Sequence, residues 1–117
     1  MYKIISLLIL ILFSFNTFAS QEYACVKYQR KDYSWGDSYK VPATIVSGDA
    51  INEATKSYKY HSWSNYAVVE WPNGGYSALE LPSYYDDLSS MFSYIDTKDQ
   101  NGRTYRIKQA PSYGQCY

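Results

Sequence analysis

Tyr66-Ala67-Val68-Val69-Glu70-Trp71, followed by Pro72-Asn73-Gly74-Gly75 and then Tyr76-Ser77-Ala78-Leu79-Glu80-Leu81, is the stretch that decides the fold class. Two runs rich in β-branched, aromatic and aliphatic residues flank a four-residue break. Asn-Gly-Gly supplies the positive φ that a tight return needs, so the stretch predicts a β-hairpin. Met91 to Thr97 and Thr104 to Gln109 repeat the pattern around Lys98-Asp99-Gln100-Asn101-Gly102-Arg103, where a second Asn-Gly step marks the turn.

Working outward, Tyr23 to Gln29 and Tyr39 to Val46 read as two earlier strands. Pro42 removes a ladder donor from the second of them, which predicts a sheet edge or a bulge there. Ser47 to Thr55 is the one plausible helix, about two turns long, with Ser47 or Asp49 able to cap it. Tyr58 to Trp63 alternates and reads as another strand. Pro82 to Ser90 is a connection, and Ala110 to Tyr117 is a tail. Turn residues recur about every ten positions, the signature of an all-β chain. The expected architecture is a small single-domain barrel, SH3-like, or a compact β-sandwich, with one short helix. Val26, Val46, Val68, Ala78, Ile95 and Ile107 are expected to face inward.

The N-terminus has the grammar of an export signal. Lys3 precedes an apolar run from Ile4 to Phe13, and Thr17 and Ala19 suit the −3 and −1 positions of a signal peptidase site. The run is shorter than the ~20 residues that span a bilayer. The chain therefore divides into a signal peptide, 1–19, and a single β-domain, 20–117, destined for the periplasm or secretion, with no membrane attachment after cleavage. In that compartment Cys25 and Cys116 are expected to form a disulfide that joins the two ends of the domain.

Composition excludes some partners. The chain of 117 residues carries 11 Lys plus Arg against 11 Asp plus Glu. Removing Lys3 with the leader leaves ten against 11, so no basic surface is available to hold nucleic acid. No Gly-rich loop precedes a helix to cradle a nucleotide phosphate, and no cofactor is expected. Tyr dominates the large side chains, with 15 Tyr against four Phe and three Trp. Phe92 alone among the Phe survives removal of the leader, so nearly every large side chain carries a polar handle that needs a partner or water.

Catalytic groups are few. His61 is the single histidine, and no nucleophile is marked as its partner. Asp86 and Asp87 form the one adjacent carboxylate pair, and Glu70 and Glu80 come from the two strands of the first hairpin. Tyr85-Asp86-Asp87-Leu88-Ser89-Ser90-Met91 resembles the calcium-loop consensus of βγ-crystallins, and Tyr28 to Gly36 resembles the aromatic-to-glycine corner of that fold. Two residues separate Tyr33 from Gly36 where that pattern has one, and no second full copy follows. No family is assigned on this resemblance, and no metal site is expected.

Aromatic side chains in loops are the strongest functional feature, because Tyr and Trp supply large rigid contacts at low entropic cost. Tyr33, Trp35, Tyr84, Tyr85, Asp86 and Asp87 are the expected contact set, with the carboxylates opposing a basic cleft. The functional expectation is an exported, non-catalytic binding protein of the inhibitor or immunity type that blocks an enzyme or toxin. A carbohydrate or cell-wall binding module that stacks sugars on the same rings is the alternative. A small hydrolase using His61 or the Asp86–Asp87 pair is the third.

Overall fold

In the computed structural model, residues 20–116 are described. The leader reading of residues 1–19 lies outside them. Six strands and one helix follow in order: β1 Ser20–Tyr28, β2 Tyr39–Ser47, α1 Gly48–Thr55, β3 Asn65–Glu70, β4 Tyr76–Glu80, β5 Ile95–Lys98 and β6 Thr104–Gln109. They form one sheet of order β4-β3-β2-β1-β6-β5 in which every neighbouring pair is antiparallel. The sheet curls into a nearly closed six-stranded barrel, so of the two expected architectures the barrel is the one observed.

Side chains close the ring between β4 and β5. Gln100 places its amide beside β4 as a strand would: Ala78 N–H donates to Oε1 at 2.9 Å, and Nε2 donates to the Tyr76 carbonyl at 2.8 Å. Thr97 Oγ1 adds a bond to the Glu80 carbonyl at 2.7 Å. The edge that β4 would otherwise present is thereby largely satisfied.

Two apolar clusters lie on opposite faces of the β2-β3-β4 sheet. Ala24, Val26, Ala43, Ile45, Ala67, Val69, Leu79, Tyr105 and Ile107 fill the barrel. Val46, Tyr66, Val68 and Ala78 point the other way, under Ile51 of α1 and Tyr60. This corrects the expected inward set: Val26, Ile95 and Ile107 belong to the barrel cluster, whereas Val46, Val68 and Ala78 belong to the outer one. Because α1 covers the outer face, β3 reads buried at four consecutive positions, and alternation cannot tell its two faces apart.

The helix forms where its cap predicts. Ser47 Oγ accepts from Ala50 N–H at 3.1 Å, and Lys56 ends the helix in the left-handed region with φ 53°. Gly48 is obligatory, since a Cβ there would lie 1.8 Å from the His61 carbonyl oxygen. The expected strand at Tyr58 to Trp63 is a loop instead. Asn52 satisfies its backbone with a side chain, accepting from Tyr60 N–H at 3.0 Å and donating to the Tyr60 carbonyl at 2.8 Å. That pair of hydrogen bonds seats Tyr60 in the outer cluster and removes the need for a pairing strand. Residues 91–94, read as the start of a strand, likewise precede β5 in non-strand conformation.

Pro42 sits in β2 opposite Tyr23 of β1, while the β2–β3 ladder runs only from Thr44↔Val68 to Ser47↔Asn65. The first half of β2 is thus bound to β1 alone, which makes Pro42 a local edge residue as its missing donor requires. Cys25 and Cys116 are bonded, with Cα atoms 5.6 Å apart. The tail that carries Cys116 crosses the outer face of β1 and β2, held by Ala110 N–H to the Tyr23 carbonyl and Lys40 Nζ to the Pro111 carbonyl. Among the described residues no helix is long and apolar enough to cross a membrane.

Candidate functional site

The two ends of the barrel differ. At the end where β1 begins, the connection after β4 folds back as a plug, with Leu88 and Met91 fully buried in the barrel cluster and Tyr85 packed against it. Asp87 holds that plug together: its Oδ1 accepts from Ser89 N–H at 2.9 Å and from Ser89 Oγ at 2.6 Å. These bonds lower the Asp87 carboxyl below the ordinary carboxylate range. Glu22 faces the same plug. Burial, and then the Asp87 charge, raises its carboxyl, while a bond from the Leu88 backbone N–H partly offsets both. One of its oxygens, Oε2, is buried with no hydrogen-bond partner among the described residues.

At the opposite end the barrel is open. β2 and β3 part company beyond Thr44, and the inward positions of four strands line the gap: Tyr28 on β1, Tyr39 and Val41 on β2, Trp71 just past β3, and Tyr105 on β6. The cleft has a volume of about 720 Å³, and the mouth of a β-barrel is a common place for a binding site. Its floor is fixed by a polar chain in which Trp71 Nε1 donates to Ser77 Oγ at 2.8 Å and Ser77 Oγ donates to Tyr105 OH at 3.2 Å. The Trp71 and Tyr105 rings lie nearly parallel, with centroids 6.4 Å apart. Tyr28 and Tyr39 stand at the rim about half exposed. Lys27, Lys40 and Arg103 are the charged residues of the lining, and no carboxylate joins them. The Lys40 ammonium is turned to the Pro111 carbonyl and that of Lys27 lies over the Tyr94 ring, which leaves Arg103 as the cation available to the mouth.

The loop from Arg30 to Gly36 leans on this mouth. Gln29 bridges to Trp35, and Gly36 N–H donates to the Tyr28 carbonyl at 2.8 Å. Gly36 packs closely on the Tyr28 ring, which an added Cβ would meet at 3.0 Å, so a larger residue there would push the ring aside. Tyr33 holds a left-handed backbone, φ 70°, and leaves its ring 79 % exposed. A non-glycine residue there costs on the order of 1 kcal/mol, and the exposed ring recovers none of it by packing. Trp35 is half-buried. Arg106 covers one face of its indole at 4.1 Å and is itself anchored to Asp96 at 2.8 Å, so that face is already occupied.

The expected contact set is therefore divided. Tyr33 and Trp35 lie in the β1–β2 connection at the open end, outside the lining of the cleft, and Tyr84, Tyr85, Asp86 and Asp87 stand at the plugged end, separated by the length of β1, about 23 Å at the rise of an extended strand from Glu22 to Gln29. Within the second group Tyr85 and Asp87 serve the plug, whereas Tyr84 and Asp86 are exposed, with the Tyr84 ring 4.7 Å from that of Tyr85. Tyr28, Tyr39, Trp71 and Tyr105 were not legible as a site. The available signal was phase, since Tyr39 and Val41 share parity with Ala43 and Ile45, and Trp71 shares it with Ala67 and Val69.

His61 lies elsewhere, beyond α1. Its Nδ1 is 2.7 Å from Glu80 Oε2, and Ser64 Oγ donates to that same oxygen at 2.6 Å. Burial acts to raise the Glu80 carboxyl, but the two hydrogen bonds and the imidazole charge outweigh it, and the net shift is downward. Ser64 thus turns its hydroxyl to the carboxylate rather than to the imidazole. Among the described residues no group of three or more His, Cys, Asp or Glu is arranged to hold a metal ion. No protein-family model matches the chain, and no curated protein or solved structure shows significant similarity to it.

Proposed function

We propose that the protein is an exported, non-catalytic binding domain that captures another protein at the open mouth of its barrel, in the manner of a periplasmic or secreted inhibitor or immunity protein. The observation that carries the reading is the mouth itself: two half-exposed tyrosines and a tryptophan, fixed from below by the Trp71–Ser77–Tyr105 chain, with the exposed Tyr33 in the β1–β2 connection at the same end. Rigid aromatic anchors of this kind supply most of the energy at protein interfaces. Arg103 in a lining without carboxylates favours a partner that inserts an apolar or acidic segment. Export rests on the leader grammar and is supported by the formed Cys25–Cys116 bond, which belongs to an oxidising compartment.

The test uses the mature oxidised domain as bait against the periplasmic and secreted fractions, followed by titration of the captured protein's own activity. One dominant protein that is inhibited at a stoichiometric ratio supports the reading. Tyr39→Ala combined with Tyr33→Ala is expected to weaken that complex by at least about 30-fold, or 2 kcal/mol. Tyr84→Ala, at the plugged end, is expected to leave it within about twofold. Equal affinity in the mouth variant overturns the assignment.

A further inference from the structure

A second aromatic feature lies on the far side of β3 and β4. The loop between α1 and β3 and the outer surface of α1 enclose a cleft of about 830 Å³. Trp63 and Tyr58 stand in its wall with 78 % and 98 % of their surface exposed. An exposed indole gains free energy when a ligand covers it. Here the ring is not loose, because the His61 imidazole stacks on it at 4.8 Å with the planes 8° apart. The imidazole in turn is fixed by Glu80, which Ser64 also grips. Ser64 N–H donates back to the His61 carbonyl at 3.1 Å, and Gly48 N–H donates to the Ser64 carbonyl at 2.8 Å, so the platform is braced against both the sheet and the helix. The lining contributed by α1 and its C-terminal end is polar, with the carboxylates of Asp49 and Glu53 and the single ammonium of Lys56.

We infer that this cleft is a carbohydrate-binding site for uncharged or N-acetylated pyranosides, separate from the mouth. A pyranose ring offers an apolar face of C–H bonds and a rim of hydroxyls. A braced indole with one open face takes the first, and the Asp49 and Glu53 carboxylates accept from the second. Two carboxylates against the one ammonium of Lys56 leave the lining net negative, which disfavours sugars that bear uronate or phosphate groups. Such a site would hold the domain on envelope glycan while the mouth engages a protein, and it stands or falls independently of the mouth.

The experiment follows the three indole N–H signals of the oxidised domain by NMR while chitotetraose, cellotetraose and tetragalacturonate are added in turn. Selective, saturable displacement of the Trp63 signal by one or both neutral sugars is expected, with Kd on the order of 1 mM. Trp63→Ala should weaken binding at least about tenfold, and Trp63→Phe, which keeps a smaller platform, by a few-fold. Trp63 is exposed, so neither change removes a core residue. His61→Ala, which leaves Trp63 in place but unbraced, should weaken binding by a few-fold and also broaden the Trp63 signal in the free protein. The absence of a saturable shift with either neutral sugar, binding that Trp63→Ala leaves intact, or tighter binding of tetragalacturonate would each overturn the inference.

Discussion

Gln100 binds the main chain of Ala78 and of Tyr76 as though it were a strand, and with Thr97 it joins β4 to a hairpin with which β4 shares no ladder. The barrel is therefore closed chiefly by an amide carried on the β5–β6 turn, with the Thr97 hydroxyl beside it. That turn is held in place by Asp99, whose Oδ1 accepts from the N–H groups of Asn101 and Arg103, and by Gly102 with φ 81°.

Removing that amide should open the seam. Gln100→Ala is expected to cost about 1–3 kcal/mol, the penalty for leaving partly buried backbone groups without partners. Urea denaturation would measure it. Loss of protection at the Ala78 amide in hydrogen exchange, ahead of the amides in β1, would locate the effect at the seam.

Gly48 is predicted to be among the least replaceable positions. Gly48→Ala would drive a methyl group into the His61 carbonyl and against the Tyr66 ring. The expected loss is about 3 kcal/mol or more, because backbone must move on both sides. Thermal unfolding monitored by circular dichroism would read it, and an unchanged melting temperature would contradict the packing of α1 described above.

Glu22 gives a pH dependence whose sign can be worked out. Its carboxyl is raised above its ordinary value of 4.5, chiefly by burial and then by the Asp87 charge. The folded state thus holds this proton to higher pH than the unfolded chain does, and stability attributable to the group falls as pH rises through that window. Glu22→Gln is expected to stabilise the domain at pH 7 by roughly 0.5–1 kcal/mol, about 2–8 °C in melting temperature. The advantage should vanish as pH falls to 4.5 and below. An equal gain at pH 4 and pH 7 would show that the charge is not the cause.

The Cys25–Cys116 bond closes a loop with a sequence separation of 91 residues. Reduction, or Cys25→Ser with Cys116→Ser, is expected to cost on the order of 4–5 kcal/mol in the chain-entropy treatment. Denaturation with and without reductant measures the difference directly. A change below about 1 kcal/mol would mean that the unfolded chain already keeps its ends together.

Local chemistry made much of this fold legible. The Asn73-Gly74 and Asn101-Gly102 turns, the Ser47 cap and the isolated cysteine pair each act within a few residues or through an unambiguous bond, and each stands where the sequence puts it. Facing was harder. Val46, Val68 and Ala78 alternate correctly but face the helix, because a strand covered on both sides carries no mark of which side is the barrel. Tyr58 to Trp63 alternates without being a strand, since Asn52 supplies the bonds a neighbour would have made. The mouth needed register most of all. Tyr28, Tyr39, Trp71 and Tyr105 meet only once four strands are paired and one ladder stops short at Thr44.

The disulfide also decides what happens to a damaged or stretched molecule. Cys25 lies within β1, and its partner sits at the far end of the chain, so tension applied across Ser20 and Cys116 passes through the sulfur bridge and loads only the first few residues of β1. The remaining strands stay slack. A single protease cut anywhere between the two cysteines leaves both pieces covalently attached, still able to pair across the sheet. A domain wired in this way can be nicked and remain one particle.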